Sequence, residues 1–134
     1  MNTRQIHALT LRETDVPGAV RRCCGNEQLY TSCLKEFLDD PTMPQLNLAL
    51  KKGNWDEAFT AAHALKGLAG NMGFIPLMHS ISQLLILIRG GRVSEFPEAA
   101  EAVNSCYRDI VDGIRQFLSY QNSEKENENE NRTE

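Results

Sequence analysis

Apolar residues along this chain recur at spacings of three and four. No run alternates apolar and polar positions with the β-branched and aromatic enrichment of a strand, so the pattern predicts helices throughout. The first follows Asp15 as N-cap and ends at Gly25. Asn26 caps a second, about Glu27 to Asp39, with Leu29, Cys33, Leu34 and Phe37 on its apolar side. Pro41 and Pro44 interrupt that stretch. A further piece, about Pro44 to Lys52, buries Leu46, Ala49 and Leu50 and stops before Gly53. Asn54 and Glu57 form a capping pair that opens a central helix, about Trp55 to Met72, which Gly73 ends. The next runs from about Ile75 to Arg89, with Leu77, Ile81, Leu84 and Ile88 on one stripe and Gly90-Gly91 as terminator. Ser94 and Pro97 mark the start of a last helix, which reaches about Tyr120 with Ala99, Val103, Cys106, Ile110, Ile114 and Phe117 at heptad-like spacing.

Amphipathic helices joined by short Gly, Pro and Asn turns predict an all-α fold: an antiparallel four-helix bundle with a short additional N-terminal helix and a disordered C-terminal tail. The expected divisions are a flexible N-terminus over residues 1–14, the bundle over 15–121 and an acidic tail over 122–134. A chain of 134 residues supports one such core. The tail holds five Glu against one Lys and one Arg, which leaves residues 1–121 at a net charge of −1. A near-neutral body has no electrostatic footprint for nucleic acid. The most apolar run, Ile81 to Ile88, is far short of the ~20 residues that span a bilayer, and no secretory signal is visible. Cys23, Cys24, Cys33 and Cys106 make no CxxC pair and are expected as buried free thiols in a reducing cytoplasm.

The central helix carries the candidate chemistry. At ~100° per residue, Ala58, Ala61, Leu65, Leu68, Ala69 and Met72 gather around the pole opposite His63. Asp56, Phe59, Thr60, Lys66, Gly67 and Gly70 lie on the His63 side. A lone histidine is more often a hydrogen-bonded core residue, but this one is set away from the apolar stripe. Two glycines inside a helix each cost about 1 kcal/mol relative to Ala. Beside the imidazole they clear space for something to approach. No serine or cysteine nucleophile and no orienting carboxylate accompany His63, so hydrolase chemistry is not assembled. Metal is a poor fit too, because His63 and His79 lie on different helices, no HExxH occurs and the Glu and ExxH ligands of metal-binding bundles are missing. The remaining chemistry is an imidazole that itself accepts a group, with Lys66 supplying charge to an anionic adduct such as phosphate.

The run Ala62-His63-Ala64-Leu65-Lys66-Gly67-Leu68-Ala69-Gly70-Asn71-Met72-Gly73 resembles the signature of the histidine-containing phosphotransfer (HPt) domain of two-component phosphorelays, roughly A-H-x-L-K-G-x-A-x-x-x-G. Gly25-Asn26-Glu27, Leu29-Tyr30 and Phe37 resemble the family's approach to its first bundle helix. Leu46, Ala49-Leu50, Gly53-Asn54 and Trp55 resemble the piece before its histidine helix. The likeness covers about residues 16 to 120, the last helix by amphipathic pattern alone. It implies that His63 accepts a phosphoryl group through Nε2 from an aspartyl phosphate on a receiver domain, of a response regulator or hybrid histidine kinase, and passes it to another receiver. Lys66 would stabilise the phosphate and Gly67 give the receiver room. Asp56, Phe59, Thr60 and Gly70, with His79 and Gln83 on the facing helix, would line the docking surface. The carrier would be no enzyme and need no cofactor, because Mg²⁺ and the acidic groups come with the receiver. A monomer that meets its partners transiently is expected.

One position departs from the pattern. Many members place Glu or Gln 22 residues after the histidine, where this chain has Leu85. Gln there can hydrogen-bond the inner ring nitrogen and Leu cannot. The departure keeps a second reading open: an adaptor that binds a receiver or histidine kinase through the same face without taking phosphate. On the carrier reading, Leu85 alters the rate without abolishing transfer, so Leu85→Gln should change the transfer rate. An unchanged rate would leave the departure without consequence.

Overall fold

The structure is a computed structural model that describes the backbone of residues 1–132 and side chains through residue 121. Its helices are α1 (Thr3–Thr10), α2 (Val16–Arg22), α3 (Glu27–Asp39), α4 (Thr42–Lys52), α5 (Trp55–Met72), α6 (Ile75–Arg89) and α7 (Phe96–Arg132), with a 3₁₀ turn at Val93–Glu95 before α7. No strand occurs among the described residues, where the one β contact is an isolated bridge between Thr14 and Phe74. α5 packs against α4 on one side and α6 on the other, and α6 packs in turn against α7. Asn47 and Asn104 exchange hydrogen bonds of 3.0 and 3.1 Å, linking α4 to α7. That is the expected bundle. No helix among the described residues is long and apolar enough to cross a membrane.

Most helix starts follow their caps. The side chains of Asp15, Asn26 and Asn54 accept hydrogen bonds from the amides of Gly18, Leu29 and Glu57. Pro41 alone breaks the α3–α4 arm. α4 begins at Thr42, because Pro44 falls in its first turn, where no backbone donor is required.

The N-terminus differs from expectation. Residues 3–10 form α1 rather than a flexible lead, opened by a reciprocal capping pair between Asn2 and Gln5. The helix buries Ala8 and Leu9 against α7, and Gln5 Nε2 donates to the Phe117 carbonyl at 3.3 Å. Arg12 then crosses α7: its Nε donates to the Asp109 carbonyl and its Nη1 to the Ala8 carbonyl, each at 2.8 Å. Gly113 makes room, since a Cβ there would lie 2.5 Å from Arg12 Cδ. At the other end, α7 continues to Arg132 instead of stopping near Tyr120. Extending a helix already nucleated adds one hydrogen bond per residue fixed, which is cheaper than starting one. The side chains of residues 122–134 lie outside the described residues, and the expected acidic tail lies there with them.

The core contains Leu34, Phe37, Leu46, Leu65, Leu77, Ile81, Leu84, Ile110, Ile114 and Phe117, as the periodicities predict. Leu29 is 47% exposed, and Tyr30 takes its place in the interior. The stripe that packs is Tyr30, Leu34 and Phe37, the last meeting Phe74 edge-on at 5.0 Å. None of the four free cysteines is fully buried, and Cys24 is exposed. Burial, with Cys23 next to it, pushes the Cys33 thiol up, which makes it a weak nucleophile.

The upper end of α5 is where α2 and α3 engage the bundle. A helix ends with carbonyls that have no partner of their own. Here the Ala69 carbonyl accepts from Phe74 N at 2.9 Å and the Gly70 carbonyl from Gly73 N at 3.3 Å. Asn71 O accepts from Arg22 Nε at 2.9 Å, and Met72 O from the Tyr30 hydroxyl at 3.0 Å. Gly73 O accepts from Asp15 N at 2.8 Å. Gly73 itself has φ +79°, and a Cβ there would lie 2.5 Å from the Asp15 carbonyl oxygen. Only glycine meets both conditions.

Removing the Tyr30 hydroxyl leaves the Met72 carbonyl without that donor. Tyr30→Phe should therefore cost about 1–2 kcal/mol, read from the urea midpoint near pH 7. Burial, with a smaller push from nearby Cys23, holds the Tyr30 phenol above its ordinary range. The folded state keeps its proton where the unfolded chain loses it. Its stabilisation is full below about pH 10 and is lost as pH rises further. Tyr30→Phe should flatten that alkaline decline, leaving a residual slope from Tyr107, which burial also pushes up.

Candidate functional site

α5 buries Ala58, Ala61, Ala62, Leu65, Ala69 and Met72, leaving Leu68 only partly covered. The opposite side presents His63, Lys66 and Gly67, all exposed. No hydrogen bond or ion pair reaches the His63 imidazole, or the Lys66 ammonium, among the described residues. The ring contact of His63 is with Phe59, one turn earlier: centroids 6.2 Å apart and planes 25° from parallel. From α6, Arg89 lays its guanidinium carbon 5.4 Å from the centroid of the same phenyl ring.

The two glycines separate under inspection. A Cβ built on Gly67 meets nothing within 4 Å, so the helix is open to solvent beside His63. A Cβ on Gly70 would touch Met78 Sδ at 3.5 Å, an ordinary contact with α6. Gly70 is half-buried and belongs as much to the α5–α6 seam as to the open face.

The remaining residues of the expected face fall on either side of a ridge that carries His63. Asp56 and Thr60 line an open groove of about 520 Å³ between α4 and α5, with Thr42, Gln45, Ala61 and Ala64. Phe59 leans the other way, to Arg89. His79 and Gln83 are exposed on α6. The Gly70–Met78 and Phe59–Arg89 approaches share one antiparallel register, which sets Leu85 level with His63. His79 is then about 9 Å further along the bundle axis at 1.5 Å per residue, while Gln83 is close to the His63 level. Leu85 itself is 8% exposed and part of the core. The α6 residue level with the histidine therefore has no hydrogen-bonding group to offer.

Two residues escape the sequence reading. Ile86 is 70% exposed on the stripe of His79 and Gln83. Its signal was an apolar residue left over from the Leu77, Ile81, Leu84 and Ile88 stripe. Arg89 enters the sequence reading only as the end of its helix, and nothing in the spacing shows that it reaches Phe59. Among the described residues no group of three or more His, Cys, Asp or Glu side chains could hold a metal ion.

The Hpt domain family model matches residues 28–117 of this chain. Comparison with the curated proteins and with the solved structures gives no match.

Because Gly67 faces open space in a regular helix, Gly67→Ala should raise stability by up to about 1 kcal/mol in urea unfolding. A loss of similar size would mean that the position is filled by packing.

Proposed function

The chain belongs to the Hpt domain family, with a part in the phosphotransfer of two-component signalling as a phosphocarrier rather than a catalyst, and on that premise we propose that His63 is its phosphoryl acceptor. The observation that carries the proposal is an exposed imidazole, with no hydrogen bond among the described residues, beside a glycine that opens onto empty space. A receiver domain bearing an aspartyl phosphate docks over Gly67. The lone pair of His63 Nε2 attacks the phosphorus in line as the bond to the aspartyl oxygen breaks. The carboxylate leaves with the receiver, and the Nδ1 proton stays on the ring. Transfer to a second receiver runs the same step backwards.

Lys66, one turn on and free of ion pairs among the described residues, offsets the charge of the phosphorylated ring. Asp56 and Thr60 in the α4–α5 groove, Phe59 and Gly70 toward α6, and His79 and Gln83 on α6 form the contact surface. Mg²⁺ and the acidic groups belong to the receiver, so the work left to this chain is to present one nitrogen at the right angle. The protein acts as a monomer in the cytoplasm and meets its receivers in transient complexes.

The test is phosphoryl transfer from a panel of pre-phosphorylated receiver domains to wild type and His63→Gln. Acid-labile, base-stable label on wild type alone, with equal helicity in both proteins, is the expected result. Binding of a receiver without label on wild type would shift the function to a non-phosphorylated adaptor, the reading that Leu85 keeps open.

A further inference from the structure

His63 is exposed, and the register sets a leucine, not a hydrogen-bonding residue, level with it on α6. An imidazole in that setting has two free torsions. In-line attack needs the ring nitrogen held within roughly 10–20° of its productive direction. Something other than a hydrogen bond must therefore restrict the ring before a partner arrives.

The structure supplies it one turn below. Side chains on an α-helix lean toward its N-terminus, so the ring at position 63 lies over the turn that holds position 59. Phe59 is half-buried, which limits its own motion, and its ring runs within 25° of parallel to the imidazole at 6.2 Å between centroids. That separation lies in the range where aromatic pairs attract. Phe59 is in turn fixed from the neighbouring helix, where Arg89 holds its guanidinium over the phenyl ring at 5.4 Å. Arg89 makes no ion pair among the described residues that would draw it elsewhere.

We propose that Phe59, braced by Arg89 across the α5–α6 seam, is the positioning residue for the His63 imidazole, stacking where no side chain hydrogen-bonds the ring. This rests on the phosphoryl-acceptor reading of His63 and deepens it. Phe59 acts through the histidine and takes no part in bond making. Arg89 acts at one further remove, by holding Phe59.

The experiment compares wild type, Phe59→Leu, Phe59→Tyr and Arg89→Gln in two measurements. The first is single-turnover transfer from a phosphorylated receiver over a range of receiver concentrations. Phe59→Leu should lower the maximal rate at saturating receiver roughly three- to tenfold, the size set by one aromatic contact, in addition to any rise in the half-saturating concentration from its place in the contact surface. Phe59→Tyr should restore the rate, and Arg89→Gln should give a smaller loss of the same kind. The second is the NMR spectrum of the His63 ring protons in the unphosphorylated protein. Removing the phenyl ring should shift them downfield and abolish their cross-peaks to position 59, and Phe59→Tyr should keep both features. A loss confined to the half-saturating concentration would overturn the proposal and make Phe59 a docking contact only. Unchanged His63 ring shifts in Phe59→Leu would overturn it as well. The ring shifts need no phosphoryl donor. A wild type that takes no label from any receiver would thus remove the acceptor reading while the spectra still decide whether the stack holds the ring.

Discussion

The arrangement turns on how the C-terminal end of α5 is closed. Five successive carbonyls, from Ala69 to Gly73, each need a donor, and the helix can supply only some of them. The rest come from α2, α3 and the residue just before α2: a guanidinium, a phenol and a backbone amide. The Tyr30–Met72 bond is buried, where an unmet carbonyl costs on the order of 1–3 kcal/mol, so α3 is bound to the histidine helix by more than apolar contact. Gly73 is the steric condition for this closure, since any side chain would push the Asp15 backbone away. With one end of α5 held from three directions, the middle of the helix can leave a face bare.

That bare face explains why the chemistry looks so sparse. The His63 imidazole and the Lys66 ammonium make no polar contacts with the rest of the described chain, and Gly67 adds no side chain between them and solvent. In an enzyme such a site would be unfinished. In a carrier it is half of a site, and the complement arrives on another protein. Leu85 on its level and Phe59 beneath it are apolar and aromatic, and neither competes for the nitrogens of the His63 ring.

Much of this was legible in the chain itself. The caps at Asp15, Asn26 and Asn54 and the stop at Gly73 set helix limits that the structure reproduces, because these signals act within one turn. The exposure of His63 followed from counting around a single helix. What failed to show depended on partners distant in sequence. Tyr30 is interior because its hydroxyl finds Met72, and α1 is a helix in place because α7 offers it a surface. Gly70 reads as a clearing in sequence, yet Met78 Sδ lies opposite it, and the helix end at Arg89 carries no sign of the Phe59 ring it covers. Local pattern reports which way a residue points; it does not report what stands there.

The pairing of α1 with α7 has a consequence for how the molecule is made. The contact from Gln5 to Phe117 closes a loop of 112 residues, whereas α4, α5 and α6 meet their neighbours across short turns. Loop closure of that length carries an entropic penalty that the hairpins avoid. Local hairpins therefore form early and this contact late. On the ribosome the order is sharper still, because chains emerge N-terminus first. α1 is synthesised before α2 to α7 and waits longest for its partner, since the surface that covers it belongs to α7. Of these seven helices, the one made earliest is the last to find its place.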